Sequence, residues 1–393
     1  MRSFTVAERR ARLARRHFLS RPATSVAAAT AAFVGLHGTD PSTPYLSLWA
    51  RLPGFTVADL DAELYEQRTV LKHLAMRRTL WVVRADDLAL VQSGASDRVA
   101  DNEHRKLVGD AQKAGLAADG SRWLDTAGEA VLAHLREHGP TGAAQLRTAL
   151  PELAGHFDPA PGKRWGGETP LAPRVLTVLG VRGEIVRGPN DGAWTTSRPR
   201  WAAMSDWLGT ALPAAEPEHA RAELVRAWLQ TFGPATLTDI KWWFGNTLTW
   251  ARHALRDIGA VEVDLSDSAG SPGVGYVLPD DLDVEPEPEP WGALLPGLDV
   301  TTMGWFDRDW YLGEHRGQVF DTNGNAGPTA WWNGRVVGGW GHDADGRVQL
   351  HLLEEIGRDG TRALQQRADT LTEWLAGVRV KPRFPSPLSK AKS

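Results

Sequence analysis

"VLAHLREHGPTGAAQLRTAL" (residues 131–150) and "VRAWLQTFGPATLTDIKWWFG" (residues 225–245) align without gaps across a shared Gly-Pro, 94 residues apart. Each begins with apolar residues at helical spacing, breaks at Gly139-Pro140 or Gly233-Pro234, and resumes a helical pattern. The break has a local cause, because glycine permits positive φ and proline cannot continue the preceding helix. Thr141 or Thr236 then stands where it helps to cap the next helix. An internal repeat of this kind organises the whole chain.

Both copies run on into a third helix and a strand pair. After the second, "TLTWARHALRDIG" leads to "AVEVDL" and "GVGYVLP". After the first, "LAPRVLTVLGVRG" leads to "EIVRGPNDGAWTTS", where Asn190-Asp191-Gly192 is the expected hairpin turn. Three helices and a β-hairpin make a winged helix, a helix-turn-helix with an added wing. A looser third copy fits "FTVADLDAELYEQRTVLKHLAMRRTLWVV" (residues 55–83), with its strand at 80–83 and Arg77 and Arg78 closing its recognition helix.

Beyond "PDDLDVEPEPEPW" (residues 279–291), which holds six acids and no base, the character changes. "TAWWNGRVVGGWG" (residues 329–341) is a hairpin around Asn333-Gly334, "RVQLHLL" is a strand, and Leu364, Leu371 and Leu375 mark one face of a helix over 361–375. Three prolines in the closing "RVKPRFPSPL" forbid regular structure. The expected class is mainly α with β wings (α+β): three tandem helix-turn-helix units plus a C-terminal β-containing unit. The expected divisions are 1–120 (N-terminal helices and first winged helix), 121–210, 211–280, and 281–393 (acidic linker and terminal α/β unit).

Composition narrows the function. The 393 residues contain no cysteine, which excludes disulfides, thiolate nucleophiles and Cys-based zinc sites. No apolar run approaches the ~20 residues that span a bilayer, and the N-terminus lacks a secretory apolar stretch. A soluble cytoplasmic monomer without membrane, metal or cofactor is expected. The net charge of −4 hides local extremes: residues 1–21 hold seven arginines against one glutamate, and Arg379, Lys381, Arg383, Lys390 and Lys392 make the tail basic. Local basic faces decide whether a polyanion binds, so DNA stays open as a partner.

One turn is unusually polar. "VGLHGTDPSTPYLSLWARL" (residues 34–52) packs a histidine, a threonine and an aspartate between two apolar helices. Asp40 and Thr43 serve as N-cap candidates for the second helix, which explains both structurally. His37 and Thr39 are not needed for the turn. As an i, i+2 pair they project to one side, with Gly38 between them allowing close approach. Imidazole can hold or deprotonate a water near neutral pH, and a threonine hydroxyl can take a second bond from that water. Both are therefore candidate catalytic residues, expected to face an open cleft.

The same stretch resembles the start of the AlkZ/YcaQ-type DNA glycosylases, the azinomycin-resistance family of tandem winged-helix proteins. So do "MRRTLWVVRADDL" (76–88), close to that family's Met-Arg-Gly-Thr-Leu-His, and "LLPGLDVTTMGWFDRDWYLG" (294–313). "NGRVVGGW" (333–340) and "VKPRFPSPL" (380–388) match as well. The resemblance implies hydrolysis of the N-glycosidic bond of N7-alkylated purines, including bulky adducts and interstrand crosslinks. It implies double-stranded alkylated DNA as partner and a nucleoid-associated location. His37 falls on the first glutamine of the family's Gln-x-Gln or Gln-x-Asp motif, and Thr39 on the second motif position; this chain departs from the pattern at both.

Other features weigh less. His134 and His138 are i, i+4 in "HLREH", without a zincin's glutamate, and read as a solvated face. "GGETPLAP" is too proline-rich for a phosphate loop, and "HLLEE" is assigned no chemistry. Trp242-Trp243 and Trp331-Trp332 could stack on bases but by default pack a core. Arg77, Arg78, Lys381 and Arg383 are candidate DNA-backbone contacts, with a solvated face as the bland reading. Three functions compete: a monofunctional DNA glycosylase, a non-catalytic winged-helix regulator or lesion sensor, and a protein-interaction scaffold.

Overall fold

The computed structural model describes residues 1–160, 162–163, 166–265 and 273–390; Lys392 of the basic tail lies outside them. The chain forms two compact units, Met1–Glu63 with Arg221–Ser393, and Leu64–Ala220. Its fold is the α+β arrangement of small sheets and helix-turn-helix units that the repeats predict.

In the first unit, helix Val6–Arg16 starts at Thr5, whose Oγ1 accepts the Glu8 amide at 3.2 Å. The acidic linker pairs with three of its arginines. Arg12 and Arg16 reach Asp281 at 2.9 and 2.7 Å, and Arg15 reaches Glu285 at 3.1 Å. Helices Val26–Ala32 and Thr43–Trp49 follow, separated by the short strand Leu36–His37. Helix Pro217–Phe232 leads across Gly233-Pro234 to helices Leu237–Phe244 and Leu248–Asp257 and the hairpin Val261–Asp264/Val274–Val277. Thr236 and Asp239 close a capping box on the middle helix.

The terminal part of this unit is a four-stranded antiparallel sheet in the order Gly292–Leu295, Thr329–Trp332, Arg335–His342, Val348–Leu352. Asn333 (φ 47°) and Gly334 (φ 79°) make the predicted turn. Helix Gly357–Leu375 buries Leu364, Leu371 and Leu375. The closing prolines keep 380–386 irregular, but Pro387 then opens a short helix, Pro387–Lys390, as proline does at a first turn.

A fully buried ion pair sits inside this unit. Arg51 donates to both oxygens of Asp299 at 2.9 and 2.8 Å, and neither side chain is exposed. Ser47 Oγ (2.6 Å) and the Thr301 amide (2.9 Å) also donate to Asp299. Arg51 spends its other donors on the carbonyls of His17 and Ser47 and on Thr301 Oγ1, which in turn meets His17 Nδ1 at 2.8 Å. Burial alone would raise Asp299. Arg51 and the hydroxyl and amide donors outweigh it and hold the carboxyl below its usual range. Burial, reinforced by Arg51, pushes His17 down to about 3.

The second unit holds the other complete winged helix. Helix Gly120–His138 ends at Gly139 (φ 72°), and Thr141–Gly142 pairs with the wing strand Pro199–Ala203. Helices Ala143–Ala149 and Ala172–Val181 precede wing strand Ile185–Asn190. Leu124, Val131, Leu135, Val175 and Leu179 fill the core. The wing turn is longer than the Asn-Asp-Gly reading: Asn190 pairs with Pro199, and its side chain ties off loop 191–198 through the Thr196 carbonyl and the Arg198 amide.

The chain departs from expectation most at the end of the first copy. Helix Val57–Asp61 and a wider turn at Ala62–Glu66 stop before Arg68, which takes φ 59°. Val70–Leu74 is then a strand paired with Leu80–Arg84. The sequence reading places a recognition helix here, closed by Arg77 and Arg78. The apolar "VLKHL" instead meets the β-rich "LWVVR" as a hairpin, a case of tertiary pairing overriding local pattern. Arg77 (φ 56°) and Arg78 (φ 59°) therefore make the hairpin turn and do not end a recognition helix.

These burials set a pH dependence. His73, on strand Val70–Leu74, is pushed by burial to about 4. The unfolded chain takes up protons at His17 and His73 below about 6.5, while the folded chain refuses them until about 3 and 4. Stability should thus be full above pH 6.5 and fall as pH drops toward 4, by about 1.4 kcal/mol per unit for each histidine. Urea unfolding from pH 7.5 to 4.5 checks this, and His17→Gln should flatten the slope.

Candidate functional site

The polar corner begins with a backbone irregularity. Helix Val26–Ala32 ends at Phe33, and Val34 follows at φ 63°, a rare conformation for a β-branched residue. The chain then extends through Leu36–His37 and turns at Gly38–Ser42 into helix Thr43–Trp49.

Asp40 organises that turn. It is 5% exposed, and its Oδ1 accepts the Ser42 amide (3.0 Å) and Ser42 Oγ (2.7 Å). Its Oδ2 accepts the backbone amide of Arg383 at 2.9 Å. Thus Asp40 works as a turn-former one step ahead of the helix, in an Asx turn, and not as its N-cap, which is Ser42. Thr43 is no cap either; its hydroxyl donates to the Gly297 carbonyl at 2.7 Å.

His37 is 3% exposed, and Thr39 is half-buried. The open cleft expected at His37 is therefore replaced by burial. The Thr39 amide donates to His37 Nδ1 at 3.4 Å. With Nδ1 accepting, the neutral ring carries its proton on Nε2 and presents an N–H there. In this state Nε2 is a donor and the Nδ1 lone pair is taken by the Thr39 amide.

The four basic candidates divide. Arg77 is half-buried at the hairpin turn of the second unit, and beside it exposed Arg78 pairs with Glu103 at 2.8 Å. Glu103 is raised by its own burial, but Arg78 and Lys106 more than offset this and keep its carboxyl below the usual range. Arg383 lies in the first unit with the corner: besides its amide bond to Asp40, Nη1 donates to the Thr39 carbonyl at 3.3 Å. Lys381 is exposed beside a cleft of about 440 Å³ lined by Trp340, His342, Asp343 and Arg379.

Sequence reading missed one carboxyl. Asp239 is fully buried and accepts four bonds, from the Thr236 amide and hydroxyl and from the amides of Phe306 and Asp307. Asp307 itself is half-buried, and its own burial, followed by the Asp239 charge, raises it to about 6. Phe306 is exposed next to it, and Arg308 lies over the Trp242 ring at 4.9 Å. A carboxyl holding its proton to that pH can serve as an acid. The only signal for it was the dense alternation of acid, base and aromatic in "GWFDRDW". Trp243 and Trp331 are buried in the core, while Trp242 is half-buried. Among the described residues no group of three or more His, Cys, Asp or Glu could hold a metal ion.

A family model described as "DNA glycosylase AlkZ-like" matches residues 30–374. The chain belongs to the AlkZ-like DNA glycosylase family. The "Interstrand DNA cross-link repair glycosylase" of Streptomyces sahachiroi is 28% identical over 178 residues, which cover 42% of this chain and 45% of that relative. The chain thus matches under half the length of that curated relative. The solved structure of Streptomyces sahachiroi DNA glycosylase AlkZ superposes with a TM-score of 0.71 at 21% identity, covering 97% of this chain and 99% of the other. The AlkZ-like fold therefore extends over nearly the whole chain.

Asp307 gives a direct test of the local electrostatics. Its carboxyl should titrate near 6 by NMR. In Asp239→Asn the midpoint should drop yet stay above 3.8, because burial remains. A midpoint already at 3.8 in the wild type would contradict this environment.

Proposed function

We propose that this protein is a monofunctional DNA glycosylase that releases N7-alkylated purines, bulky adducts and interstrand crosslinks among them, from double-stranded DNA. Work on chromosomal DNA places it in the cytoplasm with the nucleoid. The observation that carries this reading is the family match over residues 30–374, which includes the His37-Gly38-Thr39 corner.

The chemistry asks little of an acid. An N7-alkylpurine is already cationic, so breaking the C1′–N9 bond returns its electron pair to a base that leaves neutral. What remains is to stabilise an oxocarbenium-like sugar and to place a water. In the proposed arrangement His37 Nε2–H donates to that water, Thr39 Oγ1 accepts one of its protons, and a free lone pair attacks C1′. The C1′–O bond forms and the spare proton passes to solvent, leaving an abasic site. Imidazolium would repel the developing sugar cation, so the neutral ring is the working form.

Because the proposed role is that of a donor, a side-chain amide can replace it. His37→Ala should lower single-turnover release of N7-methylguanine by about 10²–10⁴-fold with folding and DNA affinity nearly intact. His37→Gln, the residue of the family motif, should retain release within about tenfold, and Thr39→Ala should lose less than His37→Ala. Release should fall as His37 becomes protonated. Equal loss in His37→Gln and His37→Ala would assign the imidazole a base role instead.

The burial of His37 favours a second reading, a winged-helix DNA-binding protein without base release. The same assay separates the two, since that protein would bind alkylated DNA and leave the base in place.

For DNA binding, we place Arg77 and Arg78 on the phosphate backbone. Replacing both by alanine should weaken binding to all sequences alike and reduce the slope of log K against log salt by about 2. A slope unchanged in a filter-binding series would remove both from the interface.

A further inference from the structure

The candidate corner is held by the far end of the chain. Asp40 Oδ2 accepts the Arg383 amide at 2.9 Å, and the Arg383 guanidinium donates to the Thr39 carbonyl at 3.3 Å. Thr39 in turn donates its own amide to His37 Nδ1 at 3.4 Å. Arg383 is thus two hydrogen bonds away from the imidazole, through a residue gripped at both its carbonyl and its amide. The tail is itself anchored: Ser386 is 1% exposed and sits so close on Gly327 that a Cβ would not fit between them.

We propose that Asp40 and Arg383 are positioning residues for the His37/Thr39 pair, with tail 380–386 as a strap across the corner. This rests on the base-release reading above. The physical case is one of satisfied burial. Asp40 has both carboxylate oxygens occupied, with two bonds from Ser42 and one from the strap. Rotating the corner would strand a buried carboxylate oxygen, which is costly, so the bonded geometry is held stiffly. The strap holds the Thr39–Asp40 peptide through its carbonyl, and the adjoining Gly38–Thr39 peptide, whose amide meets His37 Nδ1, sets which ring nitrogen carries the proton. An arginine serving only as a phosphate contact would not need its guanidinium on the Thr39 carbonyl.

Single-turnover release of N7-methylguanine, DNA affinity at several salt concentrations, and the ring ¹⁵N signals of His37 test this in the full chain. Asp40→Asn and Arg383→Ala should slow the saturating rate at least tenfold while affinity and salt slope stay at wild-type values. Arg383→Lys, which restores a cationic donor beside the Thr39 carbonyl, should recover much of the loss. The His37 ring should show Nε2–H in the wild type and a mixture of tautomers in Asp40→Asn and Arg383→Ala. Arg383→Ala with an unchanged saturating rate, weaker binding and a salt slope reduced by about 1 would make the arginine a phosphate contact and overturn the proposal. Unchanged His37 signals in both variants overturn it whatever the rates. If the wild type releases no base, the glycosylase reading fails alone, and the His37 signals still decide the strap.

Discussion

The Arg51–Asp299 pair joins three pieces of chain that are remote in sequence. Arg51 follows the helix of the polar corner, Asp299 lies just after the first strand of the terminal sheet, and the pair's outer bonds reach His17 at the end of the first helix. A buried ion pair is weak evidence for stability in general, since desolvating two charges offsets most of their attraction. Here nearly every donor and acceptor is matched, and the geometry is bidentate. Such a network stabilises one arrangement over its neighbours, because a shift of any member leaves a charge buried and unpaired. The corner at residues 37–42 sits a single helix away from this anchor, and its other side is held by the bond between Asp40 and the tail.

Charge that looks available in the sequence is often already spent. The arginines of residues 1–21 suggest a basic face for a polyanion, and residues 279–291 suggest an acidic tether. In the structure Arg12, Arg15 and Arg16 face Asp281 and Glu285, so the two extremes answer each other in part. Arg383 differs, since its guanidinium meets a neutral carbonyl and the side chain stays exposed. Counting basic residues cannot reveal this, because the partners stand hundreds of positions away.

Legibility followed the range of the interactions. The two Gly-Pro copies were readable because their determinants are local: apolar residues at helical spacing, a break, and a cap within three residues, as in Thr236 and Asp239. The Asn333-Gly334 hairpin was readable for the same reason. The strand Val70–Leu74 was not, since "VLKHL" carries no alternation and gains its identity from Leu80–Arg84. At the candidate site, His37 and Thr39 stood out as residues the turn did not need, yet their environment was hidden. The burial of His37 and the bond from Arg383 both come from tertiary packing. Asp307 was hidden too, because its raised carboxyl depends on burial and on Asp239, a residue of the preceding repeat.

Three helix pairs of the chain carry a short connector, and the one between Val26–Ala32 and Thr43–Trp49 differs from the other two. In one, Thr141–Gly142 pairs with its wing and helix Ala143–Ala149 begins at once. In another, Ala235 bridges to Tyr276 on its wing and Thr236 caps the next helix. Both connectors consist of little more than a Gly-Pro break and a cap, which is all the fold requires. Between helices Val26–Ala32 and Thr43–Trp49 the short strand Leu36–His37 takes that slot, and residues 38–42 follow before the helix begins at Thr43. This added segment contains Thr39 and the Asp40 that receives the tail. A helix-turn-helix does not need the extra turn, and its positive-φ approach at Val34 carries a backbone cost. On the proposed function, the extra polarity of the corner serves to hold His37 and Thr39 in place.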